Sequence, residues 1–463
     1  MRSRRRFLAG LAGLAAAPLV AQRGSSLAAG ERAVRTKLVA APALAQIVPD
    51  KYPRTAVWAY NGSVPGPVLR VRQGERLRVS VENALEEGTT VHWHGVRLPN
   101  AMDGVPVITQ PSIEPGGRFV YEFAPPDAGT FFYHPHQRGH EQMGRGLAGA
   151  LIVAERAPPR VDRDLVWVFG DFRLDPDASI RGGFGNFMDA SHAGRIGNTV
   201  TINGRVPDAF AVRAGERIRL RLVNAAAARV CALEFRGHRP WVIALDGQPV
   251  EPHEPEGGVV VLGPAMRADL ILDMSAAPGS RHAVHDRFYR RLEYRLVDLV
   301  YSEEPPLRAR PEDPPRLAAN PLAEPDPERA ERHRVLFSGG MMGGMMGMRR
   351  GMAWAVNGVS NGCGEKASAL DPLFVLRLGR SYVLELANDT AWHHPIHLHG
   401  HSFRVLSRNG RPNARREWLD TVLLAPRESV EIAFVADNPG DWMFHCHVLE
   451  HQAAGMMTCL RVT

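Results

Sequence analysis

The sequence predicts an all-β chain built as three consecutive β-sandwich domains, and three observations lead there. At 463 residues the chain is long enough for two to four domains, each with its own core. Long amphipathic helical patterns are scarce, whereas short β-branched or aromatic runs alternate with Asn-Gly and Gly-Glu or Gly-Arg turns. The same motif set also recurs three times along the chain.

From the N-terminus, Ser3-Arg4-Arg5-Arg6-Phe7-Leu8 precedes an Ala/Leu/Gly-rich stretch to about residue 22, so residues 1–30 are expected to be an export signal of the twin-arginine type. That route carries folded, often cofactor-loaded proteins, and it predicts a periplasmic location. Five of the positive charges behind the formal net charge of +7 lie in this leader (Arg2, Arg4, Arg5, Arg6, Arg23). The rest of the chain has no basic stripe with interleaved aromatics, so nucleic acid is not an expected partner. Nor does it have an 18-residue apolar run, so no membrane span is expected.

The first copy of the repeat reads Trp58-Ala59-Tyr60-Asn61-Gly62, then Val71 to Arg76 around Gly74-Glu75, then Val81-Glu82-Asn83. The second is Thr201-Ile202-Asn203-Gly204, Val212 to Arg217 around Gly215-Glu216, and Leu222-Val223-Asn224. The third is Ala355-Val356-Asn357-Gly358, Leu376 to Arg380 around Gly379, and Leu386-Ala387-Asn388. Composition sets the expected boundaries: domain one at 31–157, ending at the joint Ala157-Pro158-Pro159, domain two at 160–303, and domain three at 331–463. The Pro/Glu/Arg-rich stretch 304–330 reads as an extended, solvated linker.

The copies diverge beyond their last Asn. After Asn83 comes His92-Trp93-His94, and after Asn388 comes His394-Pro395-Ile396-His397-Leu398-His399. After Asn224 the chain is Ala-rich, with Val230-Cys231-Ala232 and no His pair. The outer domains are therefore expected to hold metal chemistry, and the middle one to serve as a spacer or wall.

Ten of the 19 histidines fall in four clusters: His92 and His94; His134 and His136; His394, His397 and His399; His445, His447 and His451. A spacing of two puts both rings on one face of a strand, aimed at one place. In the last cluster Cys446, His451 and Met456 form the thiolate, imidazole and thioether set of a blue-copper centre. On an extended segment neighbours point to opposite faces, so His445 and His447 reach a second centre behind Cys446. With Cys446 assigned to metal, Cys231, Cys363 and Cys459 remain, an odd count that argues against a disulfide framework. Cys363 with Cys231 or with Cys459 stays open, and buried thiols are the default.

These motifs resemble those of the multicopper oxidase family, which includes laccases, bilirubin oxidases and bacterial copper-efflux oxidases, and the likeness spans essentially the whole mature chain. It implies cupredoxin-like Greek-key sandwiches and four copper ions. The type-1 copper would take His394, Cys446 and His451 with Met456 axial, and the type-2 copper His92 and His397. One type-3 copper would take His94, His134 and His447, the other His136, His399 and His445. The implied reaction couples one-electron oxidation of a donor to four-electron reduction of O2 to water, in a chain that can be a monomer. Asp103 stands where the family places a proton-supplying acid. Gln452 stands where copper-efflux oxidases have Glu. His140, His393 and His401 have no ligand slot and read as supporting or surface residues; Asp420 matches a family pattern near the type-1 site and reads as a strand-end cap, with a substrate-orienting role as the alternative.

Two donors remain open. Met341, Met342, Met345, Met346, Met348 and Met352 are six of the 15 methionines, packed into a Gly-rich stretch that cannot build a core. Thioethers select Cu(I), which makes Cu(I) the preferred donor and copper detoxification the expected role. A small phenol or aromatic amine, as for a laccase, is the alternative, and a binding protein without turnover is the distant third.

Overall fold

The computed structural model describes residues 33–309, 312–340, 353–361 and 371–463. The signal segment, the six-methionine stretch and Cys363 lie outside them. Six sheets make up three consecutive sandwiches of cupredoxin-like build. Among the described residues helices are confined to single turns such as Gly139–Gln142, Phe187–Ser191 and Leu449–Ala453.

The threefold repeat has a physical reason. In each sandwich an early strand pairs in parallel with the strand ending in the repeated Asn: Val34–Ala45 with Leu77–Asn83, Arg163–Phe172 with Arg217–Asn224, and Glu331–Gly339 with Ser381–Asn388. The Asn-Gly pairs Asn61-Gly62, Asn203-Gly204 and Asn357-Gly358 all have positive φ at both residues, the requirement of a type I′ turn. Each turn Asn also ties back to the early strand. Asn61 accepts from the Val39 amide at 2.7 Å and donates to the Lys37 carbonyl at 2.9 Å. Asn203 makes the same pair with Val168 and Val166, and Asn357 with Leu336 and Arg334.

The strand-end Asn is buried in all three copies. Asn224 donates to the Arg229 and Leu262 carbonyls, both at 2.8 Å, and accepts from the Ala226 amide at 3.1 Å. Asn83 does the same with Glu87, Ile113 and Leu85, and Asn388 with Trp392, Ala425 and Thr390. One side chain thus satisfies three backbone groups where the chain leaves the sheet.

Each sandwich has its own apolar cluster, and that of the last one runs through Cys446 and Met456. Cys231 and Cys459 are buried. The described part of 304–330 has no helix or strand, and it is not solvated throughout. Asn320 exchanges two 2.9 Å hydrogen bonds with the Ala128 backbone and donates to Gln248, pinning the connector to two sandwiches. Among the described residues no helix is long and apolar enough to cross a membrane.

Candidate metal centre

Strand pairing assembles the histidines. The short strand His92–His94 lies against Gly129–His134 with His92 opposite His134. In the last sandwich His394–Leu398 lies against Gly440–Cys446, with His397 opposite His445 and Ile396 opposite Cys446. The first and last sandwiches then meet ring on ring. His92 stacks on His399 at 4.0 Å and His94 on His397 at 3.7 Å between centroids.

Hydrogen bonds decide which nitrogen each ring presents. His92 Nδ1 faces the Asp103 carbonyl and His397 Nδ1 the Asp420 carbonyl, each at 2.8 Å. His134 and His445 Nδ1 face the carbonyls of Pro135 and Cys446, and His399 Nδ1 faces Asp103 Oδ2 at 2.8 Å. Carbonyls and carboxylates only accept, so in the neutral rings these Nδ1 atoms carry the hydrogen and Nε2 keeps its lone pair. His94 is reversed. Its Nε2 is bonded to Thr421 Oγ1 at 3.0 Å and Asp420 Oδ1 at 3.2 Å, which leaves Nδ1 free.

Fully buried nitrogens without a partner include His92 Nε2, His94 Nδ1, His136 Nε2 and His397 Nε2. Elsewhere two lone pairs face each other, at 3.0 Å between His399 and His445 Nε2, and His447, whose Nδ1 has no partner, brings its Nε2 to 3.3 Å from His134 Nε2. Unpaired buried acceptors and opposed lone pairs are both unfavourable, and a cation relieves both. Among the described residues, four groupings in this cluster are of metal-binding size: His92 with His94 and His134, His92 with His397 and His399, His136 with His399 and His445, and His94 with His397 and Asp420, each set within 4.8 Å. The residues present therefore fit a multi-ion centre.

A second centre lies on the other side of the Cys446 strand. Cys446 Sγ is 3.4 Å from His394 Nδ1 and 3.8 Å from His451 Nδ1, and these two nitrogens are 3.2 Å apart. His451 Nε2 donates to the His192 carbonyl at 2.6 Å, and His394 Nε2 is held by Thr390 Oγ1 at 2.8 Å. Met456 is fully buried in the same cluster. Trp354 lies on the His451 ring at 4.3 Å and anchors its indole N–H on the Ala190 carbonyl.

Electrostatics suit metal binding. Burial, then neighbouring imidazoles, pushes His94, His136, His394 and His399 well below the ordinary histidine range. Burial alone takes His451 down to about 3 and pushes the Cys446 thiol up. Neutral rings keep their lone pairs for a metal, and the thiol releases its proton when one binds.

Two expectations need correction. The middle sandwich is not merely a spacer or wall, because it supplies the His192 carbonyl behind His451 and the buried Arg267 behind Asp420. Asp420 is not a strand-end cap: it is fully buried, paired with Arg267 and in contact with His94. Arg267 escaped sequence reading because one Arg among many carries no mark of burial. Asp103 is both a turn residue, its amide on the Asn100 carbonyl, and the link between His92 and His399. Gln452 approaches His136 Nδ1 at 3.4 Å. His401 is buried against Trp442 and bonds the His399 carbonyl, His393 packs on Phe288, and His140 is half-buried.

The fold and the two donor sets define a cupredoxin-type copper protein. Comparison with known proteins sharpens that class. Multicopper oxidase domain families match residues 43–158, 182–290 and 344–463. Multicopper oxidase MmcO of Mycobacterium tuberculosis is 32% identical, over 88% of this chain and 83% of that protein. Copper resistance protein A of Pseudomonas syringae is 25% identical over 88% of this chain and 90% of its own length. The crystal structure of a multi-copper oxidase from Pseudomonas thermotolerans superposes with TM-score 0.84 and 36% identity, covering 93% of this chain and all of that one. The chain belongs to the multicopper oxidase family: it is an oxidoreductase that takes electrons from a donor and passes them to O2.

Proposed function

We propose that the chain is a four-copper oxidase whose donor is Cu(I), exported to the periplasm by the twin-arginine route for copper detoxification. In this reading the domains are 31–157, 160–303 and 331–463, and the protein works as a monomer. His394, Cys446, His451 and Met456 hold the type-1 copper, and His92 with His397 the type-2 copper. His94, His134 and His447 hold one type-3 copper, and His136, His399 and His445 the other. Bound there, the coppers supply one-electron acceptance from the donor and four-electron delivery to O2. Cys446 and its neighbours His445 and His447 give the shortest covalent link between the two centres. Asp103 passes protons toward the cluster in this reading, which its contacts with His92 and His399 support.

One observation carries the choice of donor. The six-methionine stretch is outside the described residues, but the residues on either side of it, Gly340 and Ala353, are described. Gly340 donates to the Ala353 carbonyl at 2.8 Å, and a Cβ on Gly340 would strike Trp392 and Trp354. Trp354 is the residue that lies on His451. Gly340 and Ala353, which flank the stretch in the chain, therefore lie beside the wall of the Cys446 centre. A relative named copper resistance protein A also supports this role.

Oxygen consumption with Cu(I) and with a phenol, in wild type and a 341–352 deletion, tests the reading. The deletion is expected to lower kcat/KM for Cu(I) by about tenfold or more, a barrier change of about 1.4 kcal/mol, and to leave phenol turnover in place. Unchanged Cu(I) oxidation would remove the main support and favour an organic donor.

A further inference from the structure

Arg267 opens the strand Arg267–Asp273 of the middle sandwich and is buried beside a centre to which that sandwich gives no histidine. Its guanidinium grips Asp420 with both terminal nitrogens, Nη1 at 2.8 Å from Oδ1 and Nη2 on Oδ2. Two more of its donors, on Nη1 and Nε, reach the Ala265 and Thr130 carbonyls. Asp246, also buried, accepts from the Arg267 amide at 2.9 Å and from the Thr421 amide at 3.0 Å. The clamp thus binds both the side chain of Asp420 and the backbone of the turn carrying it.

That turn faces two histidines. The Asp420 carbonyl orients His397, and Asp420 Oδ1 with Thr421 Oγ1 receives Nε2 of His94. His94 is the ring that presents Nδ1 rather than Nε2. A neutral imidazole flips readily unless something outside the site selects one nitrogen for the hydrogen, and a fixed carboxylate does that. Gly95 makes room for the arrangement: its φ is +81°, and a Cβ there would lie 2.3 Å from both Arg267 Nη2 and Asp420 Oδ2. An unpaired carboxylate at the Asp420 position, buried and dry, would be unstable, so the grip cannot come from Asp420 alone.

We propose that Arg267 is a positioning residue for the metal centre: its forked hold on Asp420 keeps His94 turned with Nδ1 toward the cluster. The middle sandwich thereby sets the geometry of a ligand it does not supply. The inference rests on the reading of His94 as a copper ligand.

Copper reconstitution of the purified protein tests it. Arg267→Lys keeps the charge and loses the fork. Arg219→Lys is the matched control, a fully buried arginine of the same sandwich whose partners Asp269 and Glu155 touch none of the cluster histidines. Both variants are expected to melt lower. Only Arg267→Lys should bind the cluster coppers more weakly, by about 10- to 100-fold, and change their electron paramagnetic resonance signature, with the blue absorption of Cys446 intact. Unchanged copper affinity and spectrum in Arg267→Lys, or an equal loss in both variants, overturns the proposal. Should wild type itself load only the Cys446 copper, the proposal falls with the ligand reading, and that control locates the fault there. If Arg267→Lys does not fold, the charge-neutral pair Arg267→Met with Asp420→Asn takes its place, and the same selective loss is expected.

Discussion

Acidifying the copper-free protein should unfold it over a narrow pH range, because its metal centre is built from buried neutral imidazoles. His94, His134, His136, His394, His399, His445 and His447 are pushed well below the ordinary histidine range by burial and then by neighbouring charges, and His451 down to about 3 by burial. In the unfolded chain each titrates near 6.5. A folded value below the unfolded one means that protons bind the unfolded chain first. Stability is therefore full above about pH 6.5 and falls as pH drops toward the folded values. Between pH 7.5 and 5.5 each such ring costs about 1.4 kcal/mol, and eight together cost on the order of 10 kcal/mol. That equals the whole stability of an ordinary domain. Thermal melts of chelated protein should show the melting temperature falling by about 10–20 °C over this range. Copper-loaded protein should be much flatter, since copper and protons compete for the same lone pairs. A copper-free melting temperature that stays level from pH 7.5 to 5.5 would refute the argument, showing that the rings are hydrated and free to titrate in the folded state.

Single contacts set three more outcomes. Cys446→Ser should abolish the blue absorption while the histidines of the other centre still bind copper, read as metal per chain. Asn224→Ala leaves two carbonyls and an amide buried without partners and should destabilise by about 3–5 kcal/mol in denaturant melts, whereas an exposed Asn would cost little. Trp354→Ala should cost about 3–5 kcal/mol by cavity formation and shift the blue band, because the indole packs on His451; a loss of stability with an unshifted band would show that it does not tune the site.

The fold class was legible because each sandwich repeats the same local chemistry. Asn-Gly turns announce type I′ geometry, and period-two runs between them announce strands. The His-x-His spacing likewise reveals rings on one strand face, since that depends only on the pleat. The functional family was legible for the same reason: Cys446, His451 and Met456 lie within a dozen residues of one another.

What sequence could not reveal is every contact made across long separations. That His94 presents Nδ1 depends on Asp420, 326 residues away, and the hold on Asp420 depends on Arg267 in a third part of the chain. The His192 carbonyl behind His451 is a backbone atom with no residue-type signal at all. Local motifs by themselves determined which donors exist and what chemistry they suit. Only the tertiary structure decided which nitrogen each donor offers, because a buried polar atom is oriented by whatever packing brings to its other side.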